Sequence, residues 1–266
     1  SQVLTQCQHR IQAVILLDLD ILDHSIKHFP APLVTLTSIF QQEEEFTHYK
    51  KLKVNSKHHI CCLPYSSGTT GLCKGVMLSH YNLVSNMVQF TNQRHIRFTS
   101  KDVLIGVLPF YHIYGLALLM NGGIRLGIKV IIMPKFDAVP FLKLIEMYKI
   151  TYLHIVPPIV LFLAKHPIID QYNLSSVRMI ISGAAPLSSS LAQLASIRFP
   201  KAKLCQGYGM TECSPVVTLS PLFNNDQASI GVLVSNTCAK VIDPLTGQSC
   251  QEGQIGELYI KGPQDT

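Results

Sequence analysis

Short β-branched runs alternate along this chain with segments of helical period, and that alternation restricts the fold more than any other feature. "VILLD" (14–18), "VIIM" (130–133), "YLHIV" (152–156) and "RMIIS" (178–182) are near-continuous apolar runs, the pattern of strands buried on both faces. Between them, "AVPFLKLIEMYK" (138–149) sets Phe141, Leu144, Ile145 and Tyr148 at helical spacing, and "SSSLAQLASIRF" (188–199) does so with Leu191, Leu194, Ala195 and Phe199. The prediction is an α/β chain of wound β-sheets with flanking helices. From about Ser229 the pattern becomes two alternating runs around "DPLTG" (243–247), which supplies turn chemistry. The expected division is an α/β core over 1–228 and an antiparallel β module over 229–266, with "QQEEEFTHYKKLK" (41–53) as a surface connection.

Composition narrows the partners. With 266 residues, 47% of them hydrophobic and 14% charged, the chain can bury a sizeable core, and disordered or collagen-like classes are excluded. Its net charge of +6 suits an anionic small molecule, while its lysines and arginines form no basic run, which argues against a nucleic-acid partner. Eight cysteines without a Cys-x-x-Cys pair, and no signal-peptide pattern, are read as reduced thiols of an intracellular protein. The longest apolar stretch, Leu153 to Ala164, is too short to span a bilayer and carries Pro157 and Pro158. The chain starts at Ser1 and stops at "KGPQDT" straight after a strand-like run, so both ends are read as cut.

"YSSGTTGLCKG" (65–75) follows the strand-like "HHICCLP" and precedes the helical segment "VMLSHYNLVSNMVQ". Gly68, Gly71 and Gly75 permit positive φ and close backbone approach, Ser66, Ser67, Thr69 and Thr70 offer hydroxyls, and Lys74 offers a counter-charge. Such a loop suits phosphate oxygens. It departs from G-x4-G-K-[ST], because Cys73 stands where that pattern has glycine and Gly75 where it has a hydroxyl. By composition alone an ordinary surface loop is the better reading.

The order of residues is more specific. "YSSGTTGLCKGVMLSH" resembles the phosphate loop of the adenylate-forming superfamily of acyl-CoA synthetases, luciferases and adenylation domains, with Cys73 where that family usually has proline. The resemblance continues in the family's order through "LPFYHIYG" (108–115), "MPKFD" (133–137), "ITYLHIVPPIV" (150–160), "SGAAPL" (182–187) and "QGYGMTE" (206–212). "PFYHIYG", "IISGAAPL" and "GYGMTECSPVV" together look most like 4-coumarate:CoA ligase and its animal relatives, beetle luciferases included.

The resemblance implies that a carboxylate attacks the α-phosphate of ATP to give an acyl-adenylate, which then passes to CoA. Ser66, Ser67, Gly68, Thr69, Thr70, Gly71 and Lys74 would hold the β- and γ-phosphates. Gly183, Ala184 and Ala185 would flank the adenine edge and acyl group. Gln206, Gly207, Tyr208, Gly209 and Thr211 would complete the nucleotide site, with Tyr208 against adenine and Thr211 on the α-phosphate. Glu212 would help to hold Mg2+, so that Lys74, Thr211 and Glu212 carry the catalysis. His112, Tyr114, Ala184 and Gly207 would line the acyl pocket, His112 without a proton-transfer role, and Lys135 would meet the phosphates of CoA. By residue type alone, Tyr208 is a core aromatic, Glu212 a solvated charge, and Lys135 stands equally as a surface lysine.

Two metal readings fail on geometry. On a strand His58 and Cys62 point away from His59 and Cys61, and His24 with His28 lacks a third ligand at useful spacing. The family also continues into a Thr-Gly-Asp motif and a small C-terminal domain with an adenylation lysine, so the chain is read as a central piece of the large N-terminal domain. A luciferase-like monooxygenase or a truncated nucleotide-binding relative stay open as alternatives, as do cytoplasmic and peroxisomal locations.

Overall fold

The computed structural model describes residues 14–16, 33–35, 53–66, 72–92, 96–221, 226 and 229–266. It divides into two units, 1–53 and 54–266. In the first, β1 (Val14–Leu16) pairs in parallel with β2 (Leu33–Thr35). His24, His28 and most of the polar stretch 41–53 lie outside the described residues.

The second unit is built on a seven-stranded sheet in the order β13-β12-β11-β10-β9-β7-β8. Its parallel part comprises β7 (Val103–Gly106), β8 (Lys129–Ile132), β9 (Tyr152–Ile155), β10 (Met179–Ser182) and β11 (Lys203–Gly209). Antiparallel β12 (Val216–Leu219) and β13 (Val232–Leu233) extend the β11 side. All residues of β9 and β10 are buried, as their uninterrupted apolar runs require. The mixed α/β architecture with a mostly parallel sheet and flanking helices agrees with the sequence expectation.

Crossover helices start and stop on local signals. Between β8 and β9, α3 (Ala138–Tyr148) begins where Asp137 accepts the Val139 amide at 3.3 Å and ends at Lys149, whose φ of 52° breaks the helix. Pro157 opens α4 (Pro157–Lys165), where a missing N–H costs nothing, and Ser188 caps α5 (Ser189–Arg198). After β7 the chain forms a π-helical stretch (Gly115–Asn121) that runs into α2 (Gly122–Leu126). Among the described residues no helix is long and apolar enough to cross a membrane.

The helix α1 (His80–Phe90) buries amides beside its apolar residues. Asn82, Asn86 and Gln89 are inward together with Leu83 and Phe90, while Tyr81, Val84 and Val88 are exposed. The buried amides are matched: Asn86 both donates to Val216 O at 2.8 Å and accepts from Val216 N at 3.0 Å, and Gln89 Nε2 donates to Gln264 Oε1 at 2.9 Å.

Before α1, β3 (Ile60–Cys62) pairs with β6 (Leu78–Ser79), and β4 (Tyr65–Ser66) pairs with β5 (Lys74–Gly75). The helical segment expected from Val76 therefore starts only at His80, because Leu78 and Ser79 pair with β3 and Ser79 caps the helix. At the other end β14 (Cys238–Ile242) and β15 (Glu257–Lys261) form the expected antiparallel pair. "DPLTG" does turn, with Gly247 N donating to Asp243 O at 2.8 Å. It does not lead straight into the returning strand, since residues 248–256 add a second turn in which Gln254 N donates to Gln251 O at 3.1 Å.

Opposite the carboxyl ends of the strands, one buried carboxylate ties three strands together. Asp102, just before β7, accepts Arg178 Nε at 2.9 Å and Nη2 at 2.6 Å, Thr99 N at 2.7 Å and Thr151 Oγ1 at 2.9 Å. Arg178 also lies over the Tyr152 ring, 4.6 Å from its centroid. Burial alone would push the Asp102 carboxyl up, but the Arg178 guanidinium and the bonds from Thr99 and Thr151 hold it below the ordinary carboxylate range. A group held low in the folded state contributes stability above its unfolded value of about 3.9 and loses that contribution as pH falls through the folded value. Asp102→Asn is therefore expected to cost about 2 kcal/mol at neutral pH, and the gap to the parent should narrow below about pH 4. Urea unfolding at both pH values checks this; an equal gap at each would refute the assignment.

Candidate functional site

The strand order reverses at β7. The chain passes from β7 to β8 on one side, then returns to the other side for β9, β10 and β11. In open α/β sheets such a reversal leaves a crevice beyond the carboxyl ends of the strands. A cavity of about 160 Å³ lies there. His112 and Tyr114 reach it from the segment after β7, Gly183 and Ala184 from the end of β10, Gly207, Tyr208 and Gly209 from β11, and Thr211 from the 3-10 turn Thr211–Cys213.

The backbone makes room for this convergence. β10 ends where Ser182 pairs with Gln206, so β11 runs on through Gly207–Gly209 with only β12 beside it. A bulge between Tyr208 and Gly209 shifts the register with β12 and re-aims the strand end. Gly209 has no space for a Cβ, which would fall on the Pro215 carbonyl, and a Cβ on Gly183 would stand 2.9 Å from Tyr114 Cε1. Ala184 adopts a φ of 67°, a left-handed conformation rare for a residue with a Cβ and found disproportionately at ligand sites.

The polar groups are few and each has an environment. The Tyr114 amide donates to His112 Nδ1 at 3.2 Å, which makes that nitrogen an acceptor. Burial pushes the Tyr114 phenol above its ordinary range and raises that of Tyr208 as well. Both therefore stay neutral hydroxyls at physiological pH. Thr211 is buried beside them. The rest of the lining is apolar: Ile113, Leu118, Ile181, Met210, Pro215, Val216 and Leu219.

Not every residue singled out in the sequence reaches the cavity. Ala185 is exposed on the loop after β10, and Lys135 is exposed after β8; neither lines it. Gln206 is buried and turned to the loop instead, where Oε1 accepts Leu187 N at 3.2 Å and Nε2 donates to Leu187 O at 3.4 Å, a brace between β11 and that loop. Glu212 sits half-buried in the turn that presents Thr211. Lys74 pairs with Ser66 at the mouth of the glycine-rich hairpin and is exposed; Ser67, Gly68, Thr69, Thr70 and Gly71, its tip, lie outside the described residues. Ser66 Oγ is buried with no partner among the described residues. Among those residues no three His, Cys, Asp or Glu side chains gather as a metal site. A single carboxylate such as that of Glu212, completed by phosphate oxygens and water, is the kind of donor set that Mg2+ takes.

Sequence motifs missed the lining from Leu118, Val216 and Leu219. Leu219 is there because it pairs with Gly207, and Val216 because the bulge sets it opposite Gly209. Register carries that information; Val216 stood inside the noted stretch "GYGMTECSPVV" without being singled out, whereas Leu118 and Leu219 stood outside every quoted motif.

The glycines, the left-handed alanine and the apolar slot define a small-molecule site at the head of an α/β sheet. Residues 4–266 match the family of AMP-binding enzymes, and the chain belongs to it. It is 47% identical over 212 residues to 4-coumarate–CoA ligase 1 of Petroselinum crispum, an alignment covering 77% of this chain and 39% of that one. The chain thus spans about two fifths of the length of such relatives. Among solved structures it resembles a long-chain-fatty-acid-CoA ligase of Archaeoglobus fulgidus, with a TM-score of 0.81, 26% identity, and 97% of this chain and 55% of that one covered. It equally resembles ATP-bound MatB of Rhodopseudomonas palustris, with a TM-score of 0.81, 29% identity, and 99% and 52% covered.

The contacts of the two glycines make a test. Gly209→Ala should lower the unfolding free energy by roughly 1–3 kcal/mol, because the obstacle is backbone. Gly183→Ala should cost less, since it presses on a side-chain ring that can turn. Denaturant unfolding of both variants checks the order, and a Gly209→Ala protein as stable as the parent would contradict the packing around the bulge.

Proposed function

We propose that this chain carries the nucleotide and acyl-group sites of an ATP-dependent carboxylic acid:CoA ligase. The observation that carries the reading is the convergence of the segments after β7, β10 and β11 on one cavity, since a reaction joining two anions needs both reactants held in line. Family membership and the similarity to proteins named 4-coumarate–CoA ligase and to ATP-bound MatB support it.

In this reading Tyr208 lies along the adenine ring, flanked by Gly183, Ala184 and Ala185 and by the β11 glycines, with Gln206 supporting that loop. Thr211 donates its hydroxyl hydrogen to the α-phosphate, and the hairpin from Ser66 to Lys74 holds the β- and γ-phosphates. His112, Tyr114, Ala184 and Gly207 wall the acyl group, and Lys135 meets CoA. The acid's carboxylate attacks the α-phosphorus, an acyl–oxygen–phosphorus link forms, and the bond to pyrophosphate breaks. Charge builds on phosphate oxygens, so Lys74 and Thr211 act as pre-placed positive and hydrogen-bonding partners. Mg2+ held by Glu212 would supply further charge neutralisation there. Apolar neighbours such as Ile181 and Leu219 keep water from the adenylate. Residues 1–228 would then form the α/β core and 229–266 the start of a β subdomain, with the acid partner a small organic carboxylate.

Acid-dependent exchange of labelled pyrophosphate into ATP, measured on a protein that carries this chain together with the remaining length found in its relatives, tests the reading. Lys74→Ala and Glu212→Ala are each expected to slow exchange by about 10²–10³ while leaving unfolding midpoints unchanged, since Lys74 is exposed and Glu212 only half-buried. Exchange at the parental rate in both variants, or none from the parent with any acid, would remove it.

A further inference from the structure

A buried histidine stands behind the cavity wall without touching the cavity. His154 is central in β9 and only 1% exposed, and its Nε2 has no hydrogen-bond partner among the described residues. Its Nδ1 lies 3.4 Å from the Tyr114 hydroxyl, which also lies 3.4 Å from the carbonyl oxygen of Ile181 on β10. The two rings meet edge to face, 6.0 Å apart at 83°. The Tyr114 ring lines the cavity, and its hydroxyl end stands beside Gly183, which has no room for a Cβ there.

Burying an imidazole with a bare nitrogen costs stability that a leucine of similar size would not. Among the described residues the ring's polar contact is with Tyr114, so that contact is where a return must be sought. We propose that His154 is a positioning residue for the acid substrate: by holding the Tyr114 hydroxyl it fixes the tyrosine ring as the wall of the acyl subsite. The inference rests on the ligase reading above and names what shapes that reading's acid site.

The donors can be assigned from satisfaction. The ring is neutral, because burial pushes its pKa down to about 4, and so it carries a single proton. A stranded N–H is worse than a stranded lone pair. The proton therefore sits on Nδ1 and is donated to the Tyr114 oxygen, whose own hydrogen is donated to Ile181 O. This chain of two bonds links β9, the tyrosine and β10, and it leaves only a lone pair on Nε2 unpaired. Both bonds are long at 3.4 Å, so they steer the ring rather than clamp it. Without them the ring is free to turn away from Gly183, and an acid fitted to the upright ring loses its wall. Adenine and phosphates, held elsewhere in the site, are unaffected.

The test is calorimetric titration of the chain with 4-coumarate, cinnamate, decanoate and ATP, in the parent and in His154→Leu, His154→Asn and Tyr114→Phe. Leucine removes the donor, whereas asparagine places an amide N–H near the Nδ1 position. His154→Leu is expected to weaken the best-bound acid about tenfold with the ATP dissociation constant unchanged, and His154→Asn to restore most of the loss. Combined with Tyr114→Phe, His154→Leu should add little, since Tyr114→Phe already removes the bond to His154 along with the bond to Ile181 O. Acid affinities equal in parent and His154→Leu, or weakened alike by leucine and asparagine, would overturn the inference alone. A parent that binds none of the three acids would remove the acyl reading of the cavity and this inference with it. If His154→Leu does not fold, 15N shifts of the imidazole decide: protonation on Nδ1 in the parent, displaced in Tyr114→Phe, supports the bond, and shifts that do not respond to that variant refute it.

Discussion

The parallel ladder through β9, β10 and β11 is the constraint on which the site depends. Its register sets Ile155, Ser182 and Gln206 level, so that β10 gives way to Gly183 at the height where β11 continues alone toward Gly207. A slip of one residue would turn every side chain of a strand to the opposite face. It would carry Ile181 away from Tyr114 and strand Gln206 from the loop it braces. At the far end, Asp102 ties the segments entering β7, β9 and β10 through Arg178 and Thr151, which favours that register over its neighbours.

From this follows a division of labour along each strand. The amino ends hold the charged network, where a carboxylate with several donors is stabilising because all of its bonds are made. The middles of β7, β9 and β10 are apolar apart from His154. The carboxyl ends carry small residues, left-handed backbone and a bulge, features that weaken a strand but admit a ligand to its backbone. Stability and site therefore occupy opposite edges of the same sheet.

Polar groups buried between elements decide several positions that hydrophobic burial would not. Asn86 takes both the donor and the acceptor of Val216, so α1 fixes the height of β12, and β12 in turn fixes the lining that Val216 and Leu219 contribute. Hydrogen-bond matching is directional where apolar packing is not, so the inward amides of α1 set its position while Leu83 and Phe90 add apolar contact.

The sequence alone determined the elements whose signal is local. The runs at 152–156 and 178–182, and the helices at 138–149 and 188–199, appear within a residue or two, because periodicity and capping act over a few positions. It also singled out Tyr114, Gly183, Ala184, Tyr208 and Thr211, through motifs whose residue order is kept together. Tertiary structure alone decided the start of α1 at His80, the inward amides of that helix, the brace made by Gln206 and the meeting of His154 with Tyr114. Each of these depends on partners distant in the sequence, as Cys62 is from Leu78, Leu187 from Gln206 and Gln264 from Gln89, and no local pattern encodes which of them will meet.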